Sequence, residues 1–86
     1  MRPVLVSFSK YMEAILKEND HRGGWCGNSL EDLFSRLEHQ CDALGAALPT
    51  GQAHRVRKEC ADIANFAMMI YDKVTAASDE IVGVDI

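Results

Sequence analysis

Apolar residues recur every three or four positions along three stretches of the chain, and this period predicts three α-helices. The first predicted helix runs from about Ser7 to Asn19 and ends at the glycines that follow it. Its predicted apolar face consists of Phe8, Tyr11, Met12, Ile15 and Leu16. The second begins at Asn28 or Ser29, either of which can cap it, and ends before Pro49 and Gly51.

The third predicted helix runs from about Ala53 to Thr75. After it the apolar tail IVGVDI is suited to docking on the domain, and Ser78 could cap a short last turn. Period-two alternation of useful length is missing from the sequence. The fold class expected for residues 1–86 is therefore all-α: a single domain, built as a small antiparallel helical bundle with short connections.

The composition is typical of a small globular domain. The chain has 86 residues, of which 48% are hydrophobic and 26% charged. A domain this small buries a limited fraction of its surface, so we expect dimerisation to complete the bundle. The net charge of −4 argues against nucleic acid or an anionic membrane as a partner, because both attract clustered Lys and Arg. No run of residues approaches transmembrane length.

Cysteine usage points to a reducing compartment. The three cysteines include no CxxC pair, so neither a disulfide framework nor a zinc knuckle is indicated. Cys41 and Cys60 lie among apolar neighbours and are expected in the core. The expected location is the cytoplasm.

Glu59, Asp62 and Asn65 are spaced by three residues on the third predicted helix. At about 100° per residue they follow one side of it, and Glu59 lies close in angle to Ile63 and Phe66 on the apolar face. A carboxylate in an apolar stripe is costly unless a cation or strong donors meet it. Two carboxylates at i and i+3 can share Mg²⁺, so the spacing predicts Glu59 and Asp62 as metal ligands beside an orienting amide.

The same spacing has an ordinary structural interpretation. Glu59 can pair with Arg55 or Arg57, and Lys58 with Asp62 is a common i,i+4 ion pair of small value. The pattern of these residues leaves both interpretations open.

The loop HRGGWCGN also has two interpretations. Trp25 can stack on a base, while Gly23 and Gly24 let the backbone approach a ligand. Alternatively, the glycines end the first helix and Trp25 is a hydrophobic staple for the second.

Three segments, HRGGW, LFSRLEHQCDALGAAL and RKECADIANFAMMIYD, together resemble the phage-type branch of MazG-like nucleotide pyrophosphohydrolases. The resemblance covers roughly Arg22 to Asp72. It implies a helical bundle, usually dimeric, that binds a nucleoside triphosphate through Mg²⁺ and splits it to the monophosphate and pyrophosphate. In that family one helix has a Leu-x-Glu-Glu-x-x-Glu-Leu pattern and the next a Glu-x-x-Asp, and together they hold the metal.

Only the second of these patterns is intact here, as Glu59 and Asp62. Leu37 and Leu44 match the leucines of the first, but its three glutamate positions hold His39, Gln40 and Ala43. We expect Mg²⁺ binding to be weakened by the missing carboxylates, and the attacking water to lose its base. Gln40 and His39 can instead donate hydrogen bonds to phosphate oxygens.

A one-residue slip that brought Glu38 and Asp42 into the site is not expected. It would turn the second helix by more than a quarter-turn and expose its leucines, whose burial is worth about 1.5–3 kcal/mol each.

The resemblance implies a nucleotide-binding MazG-like protein with weakened or lost catalysis, such as a phage-type protein that sequesters a nucleotide or nucleotide-derived signal. One alternative is a working Mg²⁺-dependent pyrophosphohydrolase, and another is a non-catalytic structural module. No catalytic residue is assigned. The expected partner is a nucleotide or a molecule derived from one, bound by a homodimer or higher homo-oligomer. The candidate nucleotide-binding residues are Arg22, Gly24, Trp25, His39, Gln40, Arg55, Lys58, Glu59, Asp62 and Asn65.

Overall fold

Helices account for nearly all of the chain that is described, which confirms the predicted all-α fold. The computed structural model describes residues 1–19 and 24–81, with side chains described as far as residue 77. Within these ranges the elements are α1 (Pro3–Glu18), α2 (Leu30–Ala47), a 3-10 turn (Leu48–Thr50) and α3 (Ala53–Ile81). None of the helices in these ranges is long and apolar enough to cross a membrane.

The first helix starts four residues earlier than predicted, at Pro3 instead of Ser7. Proline suits the first helical position because its fixed φ is already helical and its missing N–H would have had no partner there. The C-terminal end is closed by Asn19, whose Nδ2 donates to the carbonyl oxygen of Ile15 at 3.1 Å. The predicted apolar face is confirmed, since each of its five residues is buried or half-buried.

The second helix begins at one of the two predicted caps. Ser29 Oγ accepts a hydrogen bond from the backbone N–H of Asp32 at 3.0 Å, which satisfies one of the free N–H groups of the first turn. At the other end Gly51 adopts a φ of 71°, a left-handed conformation that glycine reaches without a Cβ clash. The reversal between α2 and α3 is therefore short, as the sequence predicted.

The third helix extends to Ile81, six residues beyond its predicted end. The segment from Ala53 to Ile81 contains neither proline nor glycine, so nothing local interrupts it. Ser78 does not begin a separate turn, because α3 runs through that residue. The predicted docking of the tail falls on residues 82–86, outside the described ranges.

The core forms around α3, which packs against both other helices and more extensively against α2 than against α1. The buried apolar side chains among the described residues are few, and Leu33 is the largest that is fully enclosed. They are Ile15, Leu33, Ala47 and Ala61. A core of this size is small for the length of the chain.

The buried face of α2 excludes a residue that was expected in the core. Cys41 is exposed, as are Phe34, at 54%, and Leu48. The side chains that face the core are buried or half-buried and lie within about 120° of one another around the helix axis. They are Leu33, Leu37, Gln40, Ala43, Leu44 and Ala47.

Gln40 lies at the centre of this buried stripe. Burial of Leu33 and Ala47 favours this orientation over one that buries Phe34 and Cys41. Glu38 and Asp42 remain exposed, in agreement with the prediction that they do not enter the site.

Candidate functional site

The two predicted acids of α3 are joined by one amide of α2. Gln40 Nε2 donates to Oε1 of Glu59 at 2.8 Å and to Oδ2 of Asp62 at 3.0 Å. All three side chains are half-buried. The amide NH₂ group has two hydrogens, so a single nitrogen can satisfy both carboxylates at once. The strong donor that a carboxylate on the inner face of α3 requires is thus supplied by the neighbouring helix.

Lys58 supplies the positive charge at this cluster. Its Nζ lies 3.0 Å from Oδ2 of Asp62, the same oxygen that accepts from Gln40. The hydrogen bond to Asp62 raises the pKa of Lys58, and the charges of Asp62, Glu59 and Glu18 act in the same direction. The Lys58 side chain is 53% exposed and that of Asp62 only 16%, so the pair lies at the edge between the cluster and water.

Asn65 lies one turn further along α3 and is the most enclosed polar residue of the site. It is 3% exposed, and its Nδ2 donates to the carbonyl oxygen of Met12 at 3.2 Å, which ties α1 to α3. The predicted line of Glu59, Asp62 and Asn65 along one side of α3 is therefore a real feature of the fold. Its members point toward two different helices.

A cleft of about 720 Å³ opens where the three helices and the loop before α2 converge. Charged or polar lining is supplied by Arg36, Gln40, Lys58 and Asp62, and Asn65 is also part of the wall. Apolar lining is supplied by Ile15, Leu16, Leu33, Phe66 and Met69. A volume of this order is within the usual range for small-molecule sites.

The loop that closes one side of the cleft is held to α3 by two long-range hydrogen bonds. Trp25 Nε1 donates to Oδ2 of Asp72 at 3.1 Å, and Lys73 Nζ donates to the carbonyl oxygen of Cys26 at 3.1 Å. Trp25 is half-buried and lines the cleft, as does Gly24. These bonds place an aromatic ring beside the cleft without help from a ligand.

The remaining predicted site residues lie apart from this arrangement. His39 is exposed and lines a second, shallower depression with Asp32 and Arg36. Arg55 is exposed and is not part of the cleft wall. Glu59 bonds to Gln40 but does not line the cleft. Arg22 lies outside the described residues.

Arg36 is a site residue that the sequence analysis missed. It lines the cleft, and its Nε is 3.1 Å from Oδ2 of Asp32. The hydrogen bond from Asn28 and then the one from Arg36 lower the pKa of Asp32. Arg36 lies one turn before Gln40 on the same face of α2, and this spacing was the signal that could have identified it.

The geometry of the acid pair does not fit a resident Mg²⁺ ion. The Gln40 nitrogen is within 3.0 Å of an oxygen of each carboxylate, so a cation at its usual distance of about 2.0–2.1 Å from both oxygens would have to replace this amide as their partner. An amide nitrogen does not ligate Mg²⁺. Across residues 1–19 and 24–77 there is also no group of three His, Cys, Asp or Glu side chains arranged to hold a metal.

Comparison with known proteins assigns the chain to a family. An "Uncharacterized protein" of the archaeon Archaeoglobus fulgidus is 31% identical over 67 residues, which cover 78% of this chain and 72% of the archaeal protein. The chain belongs to the same family as that protein. No protein-family model matches it, and neither does a solved structure.

Proposed function

We propose that this protein is a MazG-like nucleotide-binding protein that holds its ligand in the cleft and hydrolyses it weakly or not at all. The observation that carries the proposal is the Gln40 amide between Glu59 and Asp62. It holds two carboxylates together by hydrogen bonding, whereas the MazG-like pyrophosphohydrolases that the chain resembles use a metal for this. A nucleotide or a nucleotide-derived signal would then be sequestered.

The lining of the cleft supports a ligand that is part aromatic and part anionic. Trp25 and the apolar side chains offer surface for a base, and aromatic stacking on a base is worth about 1–3 kcal/mol. Arg36 and Lys58 are cations that can donate to phosphate oxygens. Each is now paired with an acid, so a phosphate would compete with Asp32 or Asp62 for it.

The same residues argue for weak catalysis. Hydrolysis of a phosphoanhydride needs the negative charge of the phosphates neutralised and a water activated. Gln40 has no charge and cannot take a proton from water near neutral pH. Oε1 of Glu59 and Oδ2 of Asp62 already accept hydrogen bonds from it, so part of the acceptor capacity of both carboxylates is used within the cluster.

A second copy of the chain is part of the proposal. The described surface carries large apolar side chains on all three helices, among them Val4 at 69% exposed, Phe34 and Tyr71. Together with the small core, this apolar surface supports a homodimer or higher homo-oligomer.

Thermal unfolding in the presence of a panel of nucleoside triphosphates and cyclic nucleotides tests the binding. A ligand present at 100 times its Kd stabilises the protein by about 2.7 kcal/mol, enough to raise the Tm by well over 5 °C. Arg36→Gln should abolish the shift, whereas Arg55→Gln, which removes an equal charge outside the cleft, should preserve it. Failure of every compound to raise the Tm would contradict the proposal and favour a structural module.

Chromatography of the same mixtures with Mg²⁺ tests the catalytic part. We expect the nucleotide to be recovered unaltered after heat denaturation. Release of monophosphate and pyrophosphate at an enzymatic rate would instead establish the alternative, a Mg²⁺-dependent pyrophosphohydrolase.

A further inference from the structure

A buried amide oxygen of α3 lacks a hydrogen-bond partner among the described residues. Asn65 is 3% exposed, and its Oδ1 accepts no hydrogen bond from them. The amide cannot be turned over to relieve this, because Nδ2 donates to the carbonyl oxygen of Met12 and an exchange would set two acceptors together. An unpaired acceptor in the interior is destabilising, so such a group calls for a partner.

The position of Asn65 within the cleft indicates what that partner is. Along α3 the cleft wall runs from Lys58 and Asp62 through Asn65 to Phe66 and Met69. A ligand lying along this wall meets charge at one end and apolar surface at the other. At the apolar end of the cleft, the unpaired Oδ1 of Asn65 is the atom to which a ligand can donate a hydrogen bond.

We propose that the apolar end of the cleft takes a planar heteroaromatic ring and that an N–H group of this ring donates to Asn65 Oδ1. The inference rests on the proposed nucleotide-binding function and specifies which feature of the base is recognised. The bond from Nδ2 to Met12 fixes which end of the amide is Oδ1, and this oxygen can only accept a hydrogen bond. An exocyclic amino group or a ring N–H therefore satisfies it, whereas a ring nitrogen or carbonyl oxygen in the same place is repelled.

Pairs of nucleoside triphosphates that differ in one donor test this specificity. The pairs are ATP with purine riboside triphosphate, GTP with inosine triphosphate, CTP with 2-pyrimidinone riboside triphosphate, and UTP with its N3-methyl derivative. Isothermal titration calorimetry on the full chain gives the Kd of each compound. For the base that binds most tightly, we expect its partner without the donor to bind at least about tenfold more weakly, since a site built to hydrogen-bond a group discriminates strongly against its loss.

Two variants connect the discrimination to Asn65. Asn65→Leu removes the acceptor and should reduce the ratio of the two Kd values to near one. Asn65→Asp retains an oxygen at Oδ1 and should preserve the preference for the donor-bearing base, although its second oxygen faces the Met12 carbonyl oxygen and should lower the stability of the protein. If Asn65→Leu does not fold, the wild-type ratio and Asn65→Asp decide the matter.

The outcomes separate this inference from the function on which it rests. Tight binding with equal Kd values within every pair would overturn the role of Asn65 and leave nucleotide binding standing. Absence of binding by all eight compounds would overturn the role of Asn65, and nucleotide binding would also be overturned if the cyclic nucleotides of the thermal panel failed to bind.

Discussion

The side-chain nitrogen of Gln40 lies 2.8 Å from Oε1 of Glu59, so an uncharged amide of α2 supports a carboxylate of α3 across the helix interface. The same nitrogen reaches Oδ2 of Asp62 at 3.0 Å. Replacement of this donor by a third acid would destabilise the cluster, because three carboxylates would then lie close together.

Replacement of Gln40 by Glu should therefore destabilise the metal-free protein. The loss of the hydrogen bonds leaves the half-buried carboxylate of Glu59 without this donor and that of Asp62 with Lys58 alone, at a cost of about 1–3 kcal/mol, and the added charge increases this cost. The introduced carboxyl has its pKa raised by its neighbours, so the loss should be larger at pH 8 than at pH 5. Urea unfolding at the two pH values measures the difference.

Mg²⁺ should distinguish this variant from the wild type. Three carboxylates at one point form the kind of oxygen-ligand set that binds a divalent cation, so millimolar Mg²⁺ should raise the Tm of Gln40→Glu. The wild type and Gln40→Met, which loses the donors without gaining charge, should show little change. A wild-type Tm that rises with Mg²⁺ as much as that of the variant would refute the amide-bridge interpretation.

The ion pair of Lys58 with Asp62 should contribute a small amount to the free energy of unfolding, and this contribution should disappear at alkaline pH. The pKa of Lys58 is raised in the folded state by the hydrogen bond to Asp62. A raised folded pKa contributes stability that is fully present below the unfolded value, 10.5, and is lost as the pH rises through the folded pKa. The side chain is 53% exposed, so the contribution should be only a few tenths of a kcal/mol.

Lys58→Met tests this contribution through the pH dependence of unfolding. Denaturant unfolding between pH 9 and pH 11.5 should show a steeper loss of stability for the wild type than for the variant. Lys10, on the exposed surface of α1, provides the matched control, and Lys10→Met should follow the wild-type curve. Parallel curves for wild type and Lys58→Met would argue against the ion pair.

Ser29→Ala should lower the free energy of unfolding by about 1 kcal/mol, because the first turn of α2 loses the side chain that accepts from Asp32 N–H. Ser35→Ala makes the same chemical change in the middle of α2, where alanine is the better helix former, and should be neutral or slightly stabilising. Equal effects of the two substitutions in chemical denaturation would show that Ser29 is not the cap.

The ring of Trp25 should affect ligand binding, and its Nε1 should affect the position of the loop. Trp25→Phe keeps an aromatic surface but loses the bond to Asp72, so it should retain most nucleotide affinity and loosen the loop. Trp25→Ala should lose affinity by roughly tenfold or more, since stacking is worth about 1–3 kcal/mol. Calorimetry and hydrogen exchange of residues 24–29 measure the two effects, and equal affinity of both variants would exclude stacking.

The helices were predictable because their apolar period and capping residues are local properties of the sequence. Ser29, Pro49 and Gly51 fixed the ends of α2 to within a residue or two, for example. The start of α1 was misplaced because a proline is compatible with the first turn of a helix but does not by itself indicate a helix start. The end of α3 was misplaced because no proline or glycine near it indicates where the helix ends.

The pairing of side chains was less predictable, since it depends on how the helices are rotated against one another. The position of Glu59 and Asp62 on one side of α3 could be predicted from their spacing. Gln40 lines the cleft, where it was expected to donate to a ligand, but its bonds to those two acids were not predicted. Burial of Leu33 and Ala47 sets that rotation. The bond between Trp25 and Asp72 joins residues 47 apart, and no local pattern reveals such a contact.

The short reversal at Gly51 has a consequence for how the molecule folds. Gln40 and Glu59 are 19 residues apart on one helical hairpin, whereas Asn65 and Met12 are separated by 53. Contacts close in sequence lose less chain entropy on forming and tend to form sooner. The polar bridge can therefore assemble in the hairpin before the amino-terminal helix docks, so mutations in the bridge should slow refolding while mutations at Met12 mainly accelerate unfolding.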